Sequence, residues 1–276
     1  MQAGERRVKE FARALTPPIL WRAFSRLRER VVAPPAGAFR GVYDTFSAVA
    51  DARPWDKPRY LDACRLLLRE CQAGQLPPQS ETAHALISFI LNTMPDGVVP
   101  RVLDWAGGTG IRYWTARRSL NRPVHWHVVD SPLLASISRE VMGESAELSF
   151  AEALPAPATA AFDLAIAYAS LQYVESQAEL LETLASYRPR YLLLARLMAR
   201  IGRGYVTCQN VHGSDTPCKV SSLEGIADTL TRCGYHQILA MGDGLDLTLY
   251  FDHSVPADLR VRKEQFLVFA RDGESH

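Results

Sequence analysis

The chain has 276 residues, with 31 basic and 30 acidic side chains and a formal net charge of +1. Its 47% hydrophobic and 22% charged residues are the proportions of an ordinary globular protein, and the near-neutral sum excludes a broad electrostatic footprint for nucleic acid. No run approaches the roughly 18 apolar residues of a membrane span, and the N-terminus shows no secretory pattern, so a cytoplasmic protein without integral membrane association is expected.

The charge is uneven along the chain. Residues 1–40 hold nine Lys and Arg against three Glu, or +6, which leaves −5 for the remainder. This basic segment reads as two helices, 5–15 and 18–32, split by Pro17-Pro18, with Ile19, Leu20, Phe24 and Leu27 as an apolar stripe. Residues 33–37 read as a linker. Helical spacing then recurs at 58–72 and 80–92. From residue 99 strands and helices alternate. Strands are expected at 99–105, 124–129, 148–150, 162–168, 191–197, 235–241 and 264–270. Helices are expected at 109–120, 132–142, 176–187 and 221–233. This grammar is that of an α/β, Rossmann-like, doubly wound and mostly parallel sheet, with a ligand site at the carboxyl ends of its strands. Residues 1–97 form an N-terminal basic arm and helical lid, and residues 98–276 the core. Residues 207–216 read as part of a long polar loop.

The five cysteines, at 64, 71, 208, 218 and 233, form no C-x-x-C pair, so neither a disulfide framework nor a zinc site is expected. His125 and His127 flank Trp126 on one strand, but no third metal ligand is near in sequence, and the pair is read as structural.

The strongest chemical signal is Val102-Leu103-Asp104-Trp105-Ala106-Gly107-Gly108-Thr109-Gly110, a strand running through three glycines into a helix. Glycines let backbone approach a ligand closely, and the helix start offers unpaired N–H groups. Asp130 ends the next strand, twenty residues past the loop, where an acid accepts hydrogen bonds from a ribose.

The order D-x-x-G-G-x-G resembles the first motif of class I S-adenosylmethionine (SAM)-dependent methyltransferases, and a seven-stranded sheet is what that resemblance implies. It implies that Asp104, Gly107, Gly108 and Gly110 line the SAM site, that Asp130 holds the ribose, and that Ser131 and Glu152 lie beside the adenine. Residues 41–46 (GVYDTF), 102–113 and Ser170-Leu171-Gln172-Tyr173-Val174 are also similar to a family of bacterial methyltransferases, over about residues 39–270. This chain has Trp105-Ala106 where that family has an aromatic and a glycine, and Ala195-Arg196 where it tends to an Asp-Arg pair. By the resemblance Ser170 joins the cofactor-binding set.

A sulfonium ligand favours aromatic faces. Tyr113, Tyr168, Tyr173, Tyr43, Phe46 and Trp55 are candidates, with Tyr113 and Tyr173 expected at carboxyl-end loops. His212 is the candidate base, with Gln209 or Asn210 orienting a substrate, and Gln172 completes the catalytic set with Tyr173, Tyr113 and His212. Three functions fit these residues. One is a methyltransferase acting on a small molecule in bacterial biosynthesis. Another is a cyclase that closes SAM to azetidine-2-carboxylate and expels methylthioadenosine. The third is a SAM-binding module without turnover. A homodimer partner is compatible with the basic arm.

Overall fold

The computed structural model describes residues 38–49, 54–75, 81–120, 122–244 and 246–273. The helices expected at 5–15 and 18–32 lie outside the described residues. In chain order the elements are β1 (Phe39–Tyr43), α1 (Pro58–Gln72), α2 (Glu81–Asn92), β2 (Arg101–Trp105), α3 (Ile111–Arg117), β3 (His125–Val129) and α4 (Pro132–Met142). They continue with β4 (Leu148–Ala151), β5 (Leu164–Tyr168), α5 (Gln177–Ser186), β6 (Tyr191–Leu197), β7 (Ala199–Arg200), β8 (Tyr205–Val211) and β9 (Ser214–Ser222). The last are α6 (Leu223–Arg232), β10 (Tyr235–Asp243) and β11 (Glu264–Arg271).

Seven strands form one sheet in the order β10-β11-β6-β5-β2-β3-β4. The pairs among β4, β3, β2, β5 and β6 are parallel, and β11 is antiparallel to both its neighbours. Alternating strand residues feed two cores. One face sets Val102, Trp126, Val128 and Ile166 against Ile87 and Leu91 of α2 and Ala116 of α3. The other sets Leu103, Ala165, Leu192 and Leu267 against Leu181 and Leu184 of α5 and Ile226 and Leu230 of α6. Burial on both faces is why β5 and β6 read as near-continuous apolar runs. The fold is therefore the doubly wound, mostly parallel seven-stranded sheet expected from the sequence. Helix α2 shares the main core with the sheet.

The residues read as a long polar loop are instead a β-hairpin. Strands β8 and β9 pair antiparallel from Tyr205↔Val220 to Val211↔Ser214. With β1 and β7 they form a second sheet, in the order β1-β8-β9-β7. His212 and Gly213 are its turn, with φ of 50° and 77°, the positive values that a two-residue hairpin turn needs. The helical pattern of Leu61, Cys64 and Leu68 seats α1 on Leu134 and Ile137 of α4. Lys57, at the start of α1, donates to the Ser214 hydroxyl of the hairpin.

Candidate active site

The chain leaves β2 for β3 and β4 on one side, then returns to β5 on the other side of β2. The switch point therefore lies between the ends of β2 and β5, where open α/β sheets hold ligands. Three non-glycine residues with positive φ gather at these strand ends: Ala106 (49°) after β2, Ala169 (52°) after β5 and Arg196 (51°) near the end of β6. Left-handed backbone is costly for such residues and clusters at functional sites.

The three glycines of the loop do different work. A Cβ on Gly107 would stand 2.7 Å from Val128 Cγ1 and 2.8 Å from Asp104 Cγ, so packing forbids one. Gly110 (φ 71°) has Phe150 and Val128 side chains 3.2 Å from where its Cβ would be. At both positions the missing side chain faces the core. Gly108, with φ of 60°, has open space there. The loop's backbone is uncovered at this position.

Asp104, expected to line the ligand site, points its side chain into the core. Its side chain is fully buried beneath the loop. Arg112 Nε–H donates to both carboxylate oxygens at 3.2 Å, and Trp126 Nε1–H donates to Oδ2 at 3.0 Å. Burial pushes its carboxyl upward, opposed by Arg112 and Trp126. The carboxylate is spent inside the core, since a charge there requires paired and hydrogen-bonded partners. Arg112, unremarked in the sequence, completes this network and lays its guanidinium 4.6 Å from the centre of the Tyr168 ring. Its signal was position alone, two residues into the helix after Gly110.

Asp130 stands on the open side. Its Oδ2 accepts the Gly108 N–H at 2.6 Å and its Oδ1 the Ser131 N–H at 2.7 Å. Burial raises its carboxyl above the ordinary value, and these two backbone bonds pull it back. The Ser131 hydroxyl accepts the Leu134 N–H at 3.4 Å as the N-cap of α4. Glu152, exposed just past β4, pairs with Arg139 at 3.1 Å.

Past β5, Ser170 and Gln172 are buried, yet Ser170 Oγ and Gln172 Oε1 have no hydrogen-bond partner. Such atoms cost free energy unless something supplies the missing bond. Tyr173 follows, its hydroxyl donating to Gln209 Oε1 of β8 at 2.9 Å. Burial holds its phenol well above the ordinary range, so it remains protonated. Trp55 meets Tyr173 edge-on at 5.1 Å and Tyr60 at 5.6 Å, and Tyr60 lies 5.6 Å from the His212 ring. Tyr60 also senses the charges of Asp130 and Arg112. The start of α1 and the hairpin tip thus bring an aromatic wall to the switch point. The sequence reading missed Tyr60, whose place in a regular helical stripe disguised it.

Four expected residues lie elsewhere. Tyr113 was expected at a carboxyl-end loop but belongs to the core, edge-on to Trp114 at 5.1 Å. Its hydroxyl donates to Glu147, just before β4, at 2.9 Å. The helix turns it toward the amino ends of the strands, and burial with the Glu147 carboxylate pushes its phenol up to about 12. Tyr43 and Phe46 pack on Val49, Val206 and Cys208 beneath the small sheet. Asn210 bonds Asp215 across the hairpin at 3.3 Å and is occupied there.

No family model matches the chain, and no curated protein matches it in sequence. Among solved structures it is similar to an O-methyltransferase family protein from Burkholderia thailandensis, at 14% identity and a TM-score of 0.49. That match covers 79% of this chain and 62% of the other, so this chain spans less than two thirds of that protein's length. It is also similar to 1,6-didemethyltoxoflavin-N1-methyltransferase of the same organism with bound S-adenosylhomocysteine, at 16% identity, TM-score 0.47, 81% and 94% coverage. A third is magnesium protoporphyrin IX methyltransferase from Synechocystis, at 14% identity, TM-score 0.47, 80% and 98% coverage. Likenesses at this level carry nothing about the chemistry of this chain, which rests on its own residues.

Proposed function

We propose that this chain is a SAM-dependent methyltransferase acting on a small molecule. The observation that carries the reading is the meeting of Asp130 with the open Gly108 backbone at the switch point, 2.6 Å apart. The site fits the cofactor on independent grounds. Space stands over Gly108, and Ser170 Oγ and Gln172 Oε1 are two buried polar atoms awaiting partners. Asp130 would take the ribose, the backbone at Gly108 the amino-acid part, and the residues beside Ser131 and Glu152 the adenine. The bound cofactor supplies an electrophilic methyl group on a sulfonium.

The protein's own residues do the rest. Asp130 is presented by β3 as a desolvated acceptor whose competing donors among the described residues are two backbone N–H groups. Trp55, Tyr60 and Tyr173 exclude water and tolerate positive charge on their ring faces. Tyr173, kept protonated, orients through its hydroxyl and Gln209 instead of taking a proton. His212, at the hairpin tip against Tyr60, is the residue that would take a proton from an acceptor.

The test is incubation of the purified chain with SAM, alone and with candidate hydroxyl and amine acceptors, with the adenosyl product identified by mass. S-adenosylhomocysteine formed only with an acceptor supports the reading. Methylthioadenosine with a cyclic amino acid, made from SAM alone, replaces it with the cyclase. Absence of binding of either SAM or S-adenosylhomocysteine in calorimetry removes the cofactor assignment itself.

A further inference from the structure

A cleft of about 390 Å³ opens at the other end of the sheet from the glycine loop. Arg101 and His125 begin the two strands whose far ends lead to Gly108 and Asp130. The cleft exists because the connection from β4 to β5 carries a single 3-10 turn, Pro157–Thr159, where the other parallel crossovers carry helices. One face of β3 and β4 is therefore left for residues 155–162 to roof incompletely.

Its walls are chemically sorted. His125 and His127 project from one face of β3, two residues apart. His125 Nδ1 is held by the Ala146 carbonyl at 2.6 Å, and His127 Nδ1 by the Ser149 hydroxyl at 2.9 Å. His127 Nε2 is buried without a hydrogen-bond partner. The Phe162 ring stacks on the His127 ring, with centroids 6.0 Å apart and an interplanar angle of 25°. Among the described residues no carboxylate pairs with the Arg101 guanidinium. Glu147 also lines the cleft, but its Oε2 is taken by Tyr113 and Arg117 at 2.9 and 3.0 Å.

We infer that this cleft is a second binding site, for a planar aromatic ring bearing a single carboxylate. The ring lies against Phe162 and His127. The carboxylate takes the fork of Arg101, and a ring substituent or the second oxygen meets the unpaired Nε2 of His127. A guanidinium matches a carboxylate in two parallel bonds, which a point charge does not. The site is separate from the glycine loop and does not depend on the reading given above.

The probe is benzoate, titrated into the full chain while the ring proton resonances of His125 and His127 are followed by NMR. A saturable shift of His127 is expected, with Arg101→Met weakening binding by about tenfold or more while leaving the melting temperature unchanged. Cyclohexanecarboxylate, which has the charge without the flat ring, is expected to bind more weakly to the wild-type chain. A wild-type chain whose histidine resonances never saturate overturns the site. Equal affinity for the two acids overturns the planar ring, and undiminished binding by Arg101→Met overturns the carboxylate. The comparison of the two acids needs no variant, so the proposal stays open to failure even if Arg101→Met does not fold.

Discussion

Asp130 Oδ2 accepts the backbone N–H of Gly108 at 2.6 Å, across the gap between the ends of β3 and β2. One bond joins the two features that the sequence separates by twenty residues, and it gives the site opposite binding and stability responses to pH. Burial raises the Asp130 carboxyl above its ordinary value. A raised carboxyl stabilises the fold below its unfolded pKa and loses that contribution as pH rises through the folded pKa. Binding of a ribose runs the other way, because the ionised carboxylate is the better acceptor. S-adenosylhomocysteine affinity, measured by calorimetry, should therefore fall on acidification, beginning above the range of an ordinary aspartate. The Asp130 contribution to ligand-free stability grows over the same window. In Asp130→Asn the affinity should be at least about tenfold lower, and its pH dependence over that window should vanish. A pH profile identical to wild type would remove Asp130 from the ligand.

The glycines offer a contrast within one loop. Gly107→Ala forces a Cβ against Val128 and Asp104 and should cost about 2 kcal/mol of unfolding free energy or more in urea. Gly108→Ala meets no neighbour, and its cost is that of left-handed backbone, about 1 kcal/mol. Gly108→Val should fold and lose S-adenosylhomocysteine binding, because the branched side chain fills the open space. Full binding by Gly108→Val would show that the space over the loop is not the cradle.

Arg112→Met tests the core beneath the loop. It leaves the Asp104 carboxylate buried with Trp126 as its remaining donor, and should destabilise the chain by about 3 kcal/mol at neutral pH. The double variant with Asp104→Leu should recover part of that loss, since no unpaired charge remains. If Arg112→Met alone melts with the wild type, the buried pair is not holding the loop.

Tyr173 and His212 separate orientation from proton transfer. Tyr173→Phe loses the bond to Gln209 and should slow turnover by about tenfold or less. Because its phenol is held protonated, its loss should leave the alkaline side of the rate profile in place. His212→Ala should cost about a hundredfold or more in kcat if the ring takes the proton. A loss no larger than that of Tyr173→Phe would leave His212 as a turn residue that merely packs on Tyr60.

The sequence by itself determined the alternation of strands and helices, and with it the doubly wound sheet. Apolar runs such as Tyr191–Leu197 and the helical stripe of Pro58–Gln72 declare their period locally, and the structure places both over those same residues. It also placed the glycine loop and Asp130 at consecutive strand ends, because each is specified by its own neighbours in the chain. Only the tertiary structure decided which polar groups face outward. Asp104 and Asp130 both stand at strand ends, yet Arg112 and Trp126 draw one into the core while Gly108 and Ser131 hold the other at the opening. Tyr113 and Tyr173 divide in the same way, the first turned toward Glu147 and the second toward Gln209. The hairpin was hidden because its strands pair with each other and, on their outer sides, with β1 and β7, and a register between distant segments leaves little periodic trace in any one of them. Tyr60 and His212 are 152 positions apart in the numbering and meet because α1 packs on α4 while Lys57 at its start bonds Ser214 of the hairpin. Such meetings are set by packing energy summed over the whole core, which no local window contains.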